Sequence, residues 1–374
     1  MKRAQIDEPG RKTPILGEYD VVVLGGGPAG IAAAAAAGRT GRSTVLIERY
    51  GFLGGAGTAA GLSTFCGLHA NVHGEHKQVV HGLADEILGR LEKMGGLNAP
   101  HLSLANKITA QAYDISAYKS IIGVDPAKAG RAWETIPKLM DEAAAKGRRF
   151  PRRGALVRPQ KNPIEWRANV TQIKNPDGSA VSGIDVEQMS YGEIEGRRQC
   201  WDVFEFIKEA TPGFENAYIV EIAPQIGIRE TRRVLGEYLL SEADVLECAS
   251  FADAIGVNGW PVEAHVAGNV ALKFPPIPES RGFNQLPYRM IVPQGIDNLF
   301  VAGRCASMTH DGQSSARVSG PCFAMGQAAG TAAHLALKDG CAPRAVDVKA
   351  LQERLETDGA YLGFGTVGQT AVRV

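Results

Sequence analysis

The chain has 374 residues, 44% of them hydrophobic and 21% charged, which excludes a disordered polymer and fits roughly two ordinary globular domains. Its 40 basic residues balance 40 acidic ones, so no global electrostatic case exists for nucleic acid or for an anionic membrane as a partner. The 45 glycines exceed the roughly 7% of average proteins and follow no collagen period, which points to tight turns and close backbone approaches to a ligand.

The N-terminal stretch MKRAQIDEPGRK has basic residues but no apolar run behind them, so no secretory signal is expected. Residues 19–24 (YDVVVL) read as a strand suited to burial on both faces, and 31–39 as an alanine-rich helix closed by Gly41. That helix is far shorter than the roughly 18 apolar residues of a membrane span. A cytoplasmic protein is the expectation. Residues 44–47 form a second buried strand ending at Glu48, a loop-rich stretch runs from Gly51 to Gly74, and apolar residues recur at helical spacing over 79–94. The loose group His69, His73, His76 and His81 fits no single helix face, so no metal is expected there. Cys66, with no CxxC partner, reads as a small buried hydrophobe rather than a redox thiol. The six cysteines are scattered throughout, which excludes a disulfide scaffold and a local zinc or iron–sulfur site.

The middle third is harder to read. A helix is expected over 132–145, followed by a basic stretch with Arg148, Arg149, Arg152, Arg153 and Arg158. Nucleic-acid contact and a solvated or internally paired loop both fit it; zero net charge and the lack of interleaved aromatics favour the loop. A polar turn at 175–178 precedes an amphipathic helix with Ile194, Trp201, Phe204 and Ile207 on one side, stopped by Pro212-Gly213. A strand is expected at 218–222, and Ser241-Glu-Ala-Asp244 is a helix start of the capping-box type. The last third returns to the style of the first: a short buried strand at 298–303, a polar loop, then a helix over 322–337 rich in small residues and opened by Gly320-Pro321.

One motif carries chemistry. Gly25-Gly26-Gly27-Pro28-Ala29-Gly30 satisfies GxGxxG between an expected strand and an expected helix. Gly25 permits the sharp turn, Gly27 lets backbone reach a pyrophosphate, and Gly30 allows close helix–strand packing, while the helix N-terminus offers N–H groups and a positive dipole end. Glu48 ends the second strand where an acceptor for ribose hydroxyls belongs. Dinucleotide binding follows, and the shared style of the two ends around a dissimilar middle suits a two-part flavin domain with an insert.

These residues, with Glu48-Arg49 and Phe52-Leu-Gly-Gly55, resemble the opening of an FAD-dependent oxidoreductase of the glutathione-reductase superfamily. The Ile226–Tyr238 stretch around Arg229-Glu-Thr-Arg232-Arg233, the Asn298-LFVAGR-Cys305 block, Arg317 and Gly326-QAAG are similar to the heterodisulfide-reductase-subunit-A-like branch. The resemblance covers 18–120 and about 160–338. It implies an α/β fold: a Rossmann-like, doubly wound FAD domain from 18–125 and 286–340, an inserted mixed α/β substrate region at 126–285, an N-terminal tail at 1–17 and a C-terminal extension at 341–374.

Carried over residue by residue, the resemblance implies that Gly25, Gly27, Pro28, Ala29 and Gly30 hold the FAD pyrophosphate and Glu48 its ribose. Arg49 lies near the adenosine half and Gly55 belongs to the same opening block. Gly303 and Arg304 close over the flavin, and the backbone at Gly320–Cys322 presents a helix N-terminus to its pyrimidine edge. On the substrate side, Arg229, Arg232 and Arg233 either clamp a carboxylate or form a structural ion-pair cluster with Glu230 and Glu237. His310, in the loop before the last helix, is either a proton donor beside the flavin or an ordinary loop histidine. The chain departs from the branch in one respect. No Ala-Thr-Gly-Asp-type turn occurs, and the reading jumps from Tyr113–Lys119 to Ile121–Pro126 as if a block were missing. The function expected is hydride or electron transfer between a small, possibly acidic substrate and FAD. The alternatives are an impaired nucleotide- or partner-binding remnant, and a flavin subunit feeding an iron–sulfur partner protein. Exposed strand edges would also favour a homo-oligomer.

Overall fold

The computed structural model describes residue 10 and residues 12–101, 112–115, 121–152, 155–266 and 269–365. β1 (Val21–Leu24), α1 (Pro28–Arg39) and β2 (Thr44–Ile47) form a strand–helix–strand unit in which the two strands pair in parallel, Val21 opposite Thr44 through Leu24 opposite Ile47. β-Branched residues make up most of both strands, and alanines dominate α1, which makes that helix thin. After a single turn of helix, α2 (Ala56–Ala59), come β3 (Thr64–Phe65), the β4 (His69–Val72)–β5 (Glu75–Gln78) hairpin and α3 (Leu83–Lys93). β6 (Leu97–His101) and β7 (Ala112–Ile115) complete an antiparallel sheet of order β3-β7-β6.

Between Ile115 and Ile121 the chain leaves that sheet for another; residues 116–120, within the junction read as a missing block, lie outside the described residues. β8 (Ile121–Ile122) joins an antiparallel sheet of order β11-β8-β10-β9, with β9 (Leu156–Pro159), β10 (Glu165–Asn169) and β11 (Tyr218–Ile219). Against it lie α4 (Pro126–Ala129), α5 (Ala132–Ala145) and the long α6 (Val186–Ala210). This middle region has its own core, built around Ile136, Met140, Trp166, Phe204, Ile207 and Phe214.

The C-terminal part opens with α7 (Glu242–Leu246), whose N-cap Ser241 and Asp244 form the reciprocal capping box expected from sequence. β12 (Ala254–Asn258) pairs with β15 (Asn284–Pro287), and β13 (Val262–Val266) with β14 (Asn269–Lys273). α8 (His310–Ala316), α9 (Ser319–Asp339) and α10 (Val348–Thr357) follow. α9 crosses α1 at the limit of backbone contact: a Cβ at Gly326 would lie 2.1 Å from the Ala29 carbonyl oxygen, and one at Gly330 2.2 Å from that of Ala33. Only glycine permits that approach. It fastens the two ends of the chain together.

Several expectations are corrected. Val22, Leu24 and Ile47 are 52%, 76% and 50% exposed, so one face of the β1–β2 sheet is open rather than buried. An apolar run marks a strand suited to two-sided burial, but the described residues do not supply the second layer. Residues 298–302 form no strand; Val301 donates to Ile291 O, and no described strand pairs with this segment. In α6 the buried face runs through Gly192, Gly196, Gln199, Val203 and Ile207, while Ile194 and Trp201 are exposed. Gly192 and Gly196 let Ile173 and Ile226 press against the helix, an anchor invisible to a search for large apolar residues. Val79 and Val80 lie before α3, both donating to Leu68 O.

Candidate functional site

The glycine turn joins β1 to α1. Gly25 adopts a left-handed φ of 98° and donates its N–H to Ile47 O at 2.8 Å. A Cβ at Gly30 would lie 1.8 Å from Gly25 O, so that glycine closes the turn on itself. Gly27 differs. It is the N-cap of α1, no side chain caps the helix there, Pro28 follows as the first helical residue, and the nearest atom to a Cβ on Gly27 would be Gly55 Cα at 3.8 Å. No packing demand explains that glycine; it leaves a clear surface against the positive end of the helix. Gly55, at φ 58°, backs the turn from behind, and Gly54 donates to Gly26 O at 2.8 Å.

Glu48 stands beside the turn. Its Oε2 accepts from the Gly26 amide at 2.6 Å, and its Oε1 from the amides of Arg49 at 2.7 Å and Tyr50 at 3.3 Å. These backbone donors, Gly26 foremost, hold the carboxyl below its ordinary range, so it is ionised at neutral pH. The Arg49 guanidinium lies 4.6 Å above the Tyr50 ring, which stacks on Phe52 at 5.4 Å.

The C-terminal half meets this turn from the opposite side. Gly303, at φ 79°, would place a Cβ 2.9 Å from Ala29 Cβ, so the last turn rests on the first turn of α1. Arg304 donates to Ile228 O. At the start of α9, the Gly320 amide is taken by Cys66 O at 2.8 Å and the Cys322 amide by Val318 O at 3.1 Å, so this terminus offers a ligand its dipole rather than those donors. Burial pushes the Cys322 thiol up to about 12, and its Sγ donates to Arg317 O at 3.2 Å; it is a packing group and not a thiolate.

A cavity of about 1040 Å³ lies between these elements and the middle region. Ala56, Ala60 and Leu62 line it from the N-terminal part, Arg152, Phe204 and Ile207 from the middle, and Arg229, Arg232, Glu263, His310 and Arg317 from the C-terminal part. His310 opens α8, and its Nδ1 lies 2.6 Å from Glu230 Oε2. Glu230 also accepts from Arg233. A carboxylate at Nδ1 keeps the proton there and leaves Nε2 as the free acceptor.

The fold therefore brings His310, Arg229 and Arg232 to one cavity and separates Arg233 from them in role. Arg232 is exposed, whereas Arg229 lies 4.0 Å from Glu263. Three participants were missed. Arg152, in a basic stretch that suits a loop, is buried on the cavity wall; Arg317 has no neighbours in sequence that mark it for a role; Glu263, in β13, carries no local sequence signal. Arg158 of the same basic stretch is also buried, while Arg148 lies 4.9 Å above the Phe206 ring; Arg153 lies outside the described residues. The histidines sit on the β4–β5 hairpin and beyond it, where His81 Nδ1 pairs with Asp85 at 3.0 Å. No helix among the described residues is long and apolar enough to cross a membrane.

Compared with known proteins, the chain matches the family model described as FAD dependent oxidoreductase over residues 20–123 and 121–355. The chain belongs to that family, and FAD is its cofactor. The two matched stretches overlap at 121–123, at the junction that follows Tyr113–Lys119. No curated protein matches the chain.

Proposed function

We propose that the chain transfers a hydride between a small organic substrate and FAD, within a Rossmann-like cofactor domain built from 18–125 and 286–340 and completed by an inserted region at 126–285. The observation that carries this reading is the uncapped N-terminus of α1 at Gly27, a surface with no protein atom nearby to require glycine, flanked by an ionised Glu48. The chain's groups suit FAD there. The first-turn backbone at Pro28, Ala29 and Gly30 would hold the pyrophosphate and Glu48 the ribose, with Arg49 toward the adenosine half and Gly303 and Arg304 on the flavin side. When bound, FAD supplies a two-electron acceptor. In the cavity, Arg229 and Arg232 orient the substrate. His310, with its proton held on Nδ1 by Glu230, takes at Nε2 the proton that substrate oxidation releases, and Glu230 stabilises the imidazolium so formed.

The open face of the β1–β2 sheet bears on affinity. With fewer strands walling the cofactor, FAD is expected to be retained at less than one per chain and recovered by adding it. The test is an absorption spectrum of the purified protein before and after incubation with FAD, with NAD and NADP titrated alongside. Flavin bands that remain after desalting support the proposal. Tightest binding of NADP would refute it, because Glu48 repels a 2′-phosphate, as would failure to retain flavin at any FAD concentration.

A further inference from the structure

Three buried or half-buried guanidinium groups and one carboxylate line the same cavity. They come from four separate places in the chain: Arg152 from the loop before β9, Arg229 from the segment after β11, Arg317 from the end of α8, and the carboxylate of Glu263 from β13. Arg229 Nη1 lies 4.0 Å from Glu263 Oε1 and Arg317 Nη2 3.7 Å from Glu263 Oε2. Both distances exceed the 2.7–2.9 Å of a charge-assisted hydrogen bond, so neither guanidinium closes a fork on Glu263. Arg152 is 8% exposed, lies within 4 Å of no carboxylate among the described residues, and donates only to Asn169 Oδ1 at 3.4 Å. The Arg317 side chain is 10% exposed. Glu263 is further fixed by the Trp260 indole N–H at 3.1 Å.

Nearby carboxylates do not relieve this excess. Glu193 holds Arg197 at 2.5 Å and the Ile226 amide at 2.9 Å, and Glu230 holds Arg233 and His310. Burial lowers the proton affinity of Arg152 and of Arg317, the latter to about 10, and repulsion from Arg229 adds to both. Taking charges from water without close pairing costs several kcal/mol per ion. That cost is offset when an anion enters.

We infer that the cavity takes a small dicarboxylic acid, whose two carboxylates engage the forks of Arg152, Arg229 and Arg317 and balance positive charge that Glu263 leaves uncompensated. This rests on the proposed flavin-linked reading and names the substrate class of its site. The buried guanidiniums outnumber the one carboxylate among them, so more than one anionic group is needed, and planar forks suit carboxylates bidentately.

The test is calorimetric titration of the FAD-loaded protein with malonate, succinate and glutarate, against butyrate and inorganic phosphate, with flavin content read from absorbance in the same samples. At least one dicarboxylate should bind ten times or more tightly than butyrate. Arg152→Gln and Arg317→Gln should each weaken it at least tenfold with flavin content unchanged, while Arg148→Gln, outside the cavity, should not. If the buried variants fail to fold, Arg229→Gln, at a side chain 39% exposed, carries the same expectation. Equal binding of butyrate, tighter binding of phosphate than of every dicarboxylate, or no dicarboxylate binding overturns the inference. If flavin is held while dicarboxylates are ignored, the substrate class alone fails. If dicarboxylates bind a protein that never retains flavin, the proposed function fails instead.

Discussion

Replacing Gly326 by alanine tests how α9 packs against α1 and the glycine turn that opens it. The new methyl would lie 2.1 Å from the Ala29 carbonyl oxygen and 2.8 Å from Ala29 Cα, and both partners are backbone. No rotamer relieves that overlap, so α1 must retreat from α9 by roughly 1 Å to restore van der Waals spacing. Overpacking of this kind costs about 1–3 kcal/mol, and the lack of any flexible neighbour puts it near the upper end. Alanine returns about 1 kcal/mol of intrinsic helix propensity. The net expectation is a loss of about 2 kcal/mol, or a fall of about 4 °C in Tm. Because Ala29 lies in the first turn proposed to hold the pyrophosphate, FAD affinity should fall about tenfold with it. Gly38→Ala in α1 is the control: nothing lies within 4 Å of its Cβ, so propensity acts alone and stability should rise by up to about 1 kcal/mol. Differential scanning fluorimetry and flavin absorbance on both variants decide the matter. If Gly326→Ala also raises Tm, the helices have room to separate and the packing argument fails.

Leu24→Thr, on the open face of β1, should change stability by no more than about 0.5 kcal/mol and shift sedimentation toward smaller species. A loss above about 1 kcal/mol in dilute solution would show that this face is covered. Tyr288→Phe removes a buried hydroxyl that donates to Pro343 O at 2.6 Å; an unfolding free energy in urea lowered by about 1 kcal/mol is expected, and an unchanged value would mean water replaces it. Glu48 has a folded-state proton affinity below the ordinary carboxylate value, so its stabilisation is present above about pH 4.3 and lost as pH falls through the lower, folded value. Glu48→Gln should therefore weaken FAD binding at pH 7 and flatten the acid limb of the stability curve. Identical acid limbs in the two proteins would refute that role.

The sequence by itself determined the local units whose signals are short in range. The β1–turn–α1–β2 start was legible because β-branched runs, an alanine-rich helix and a glycine turn each follow from neighbours a few residues apart. The same holds for the Ser241 capping box and for α5, whose bounds were read directly. Glu48 was legible because its place depends only on where β2 ends. Tertiary structure alone decided which apolar faces are covered: residues 298–302 have the composition of a strand, but a strand needs a partner and pairing is not encoded in the segment. It also decided why α6 buries glycines instead of Ile194 and Trp201, since the fit depends on Ile173 and Ile226 arriving from elsewhere. The cavity is the clearest case. Arg152, Arg229, Glu263 and Arg317 are separated by dozens of residues, and an arginine reads as solvated until the fold removes its water. Their shared charge exists only where four distant segments converge.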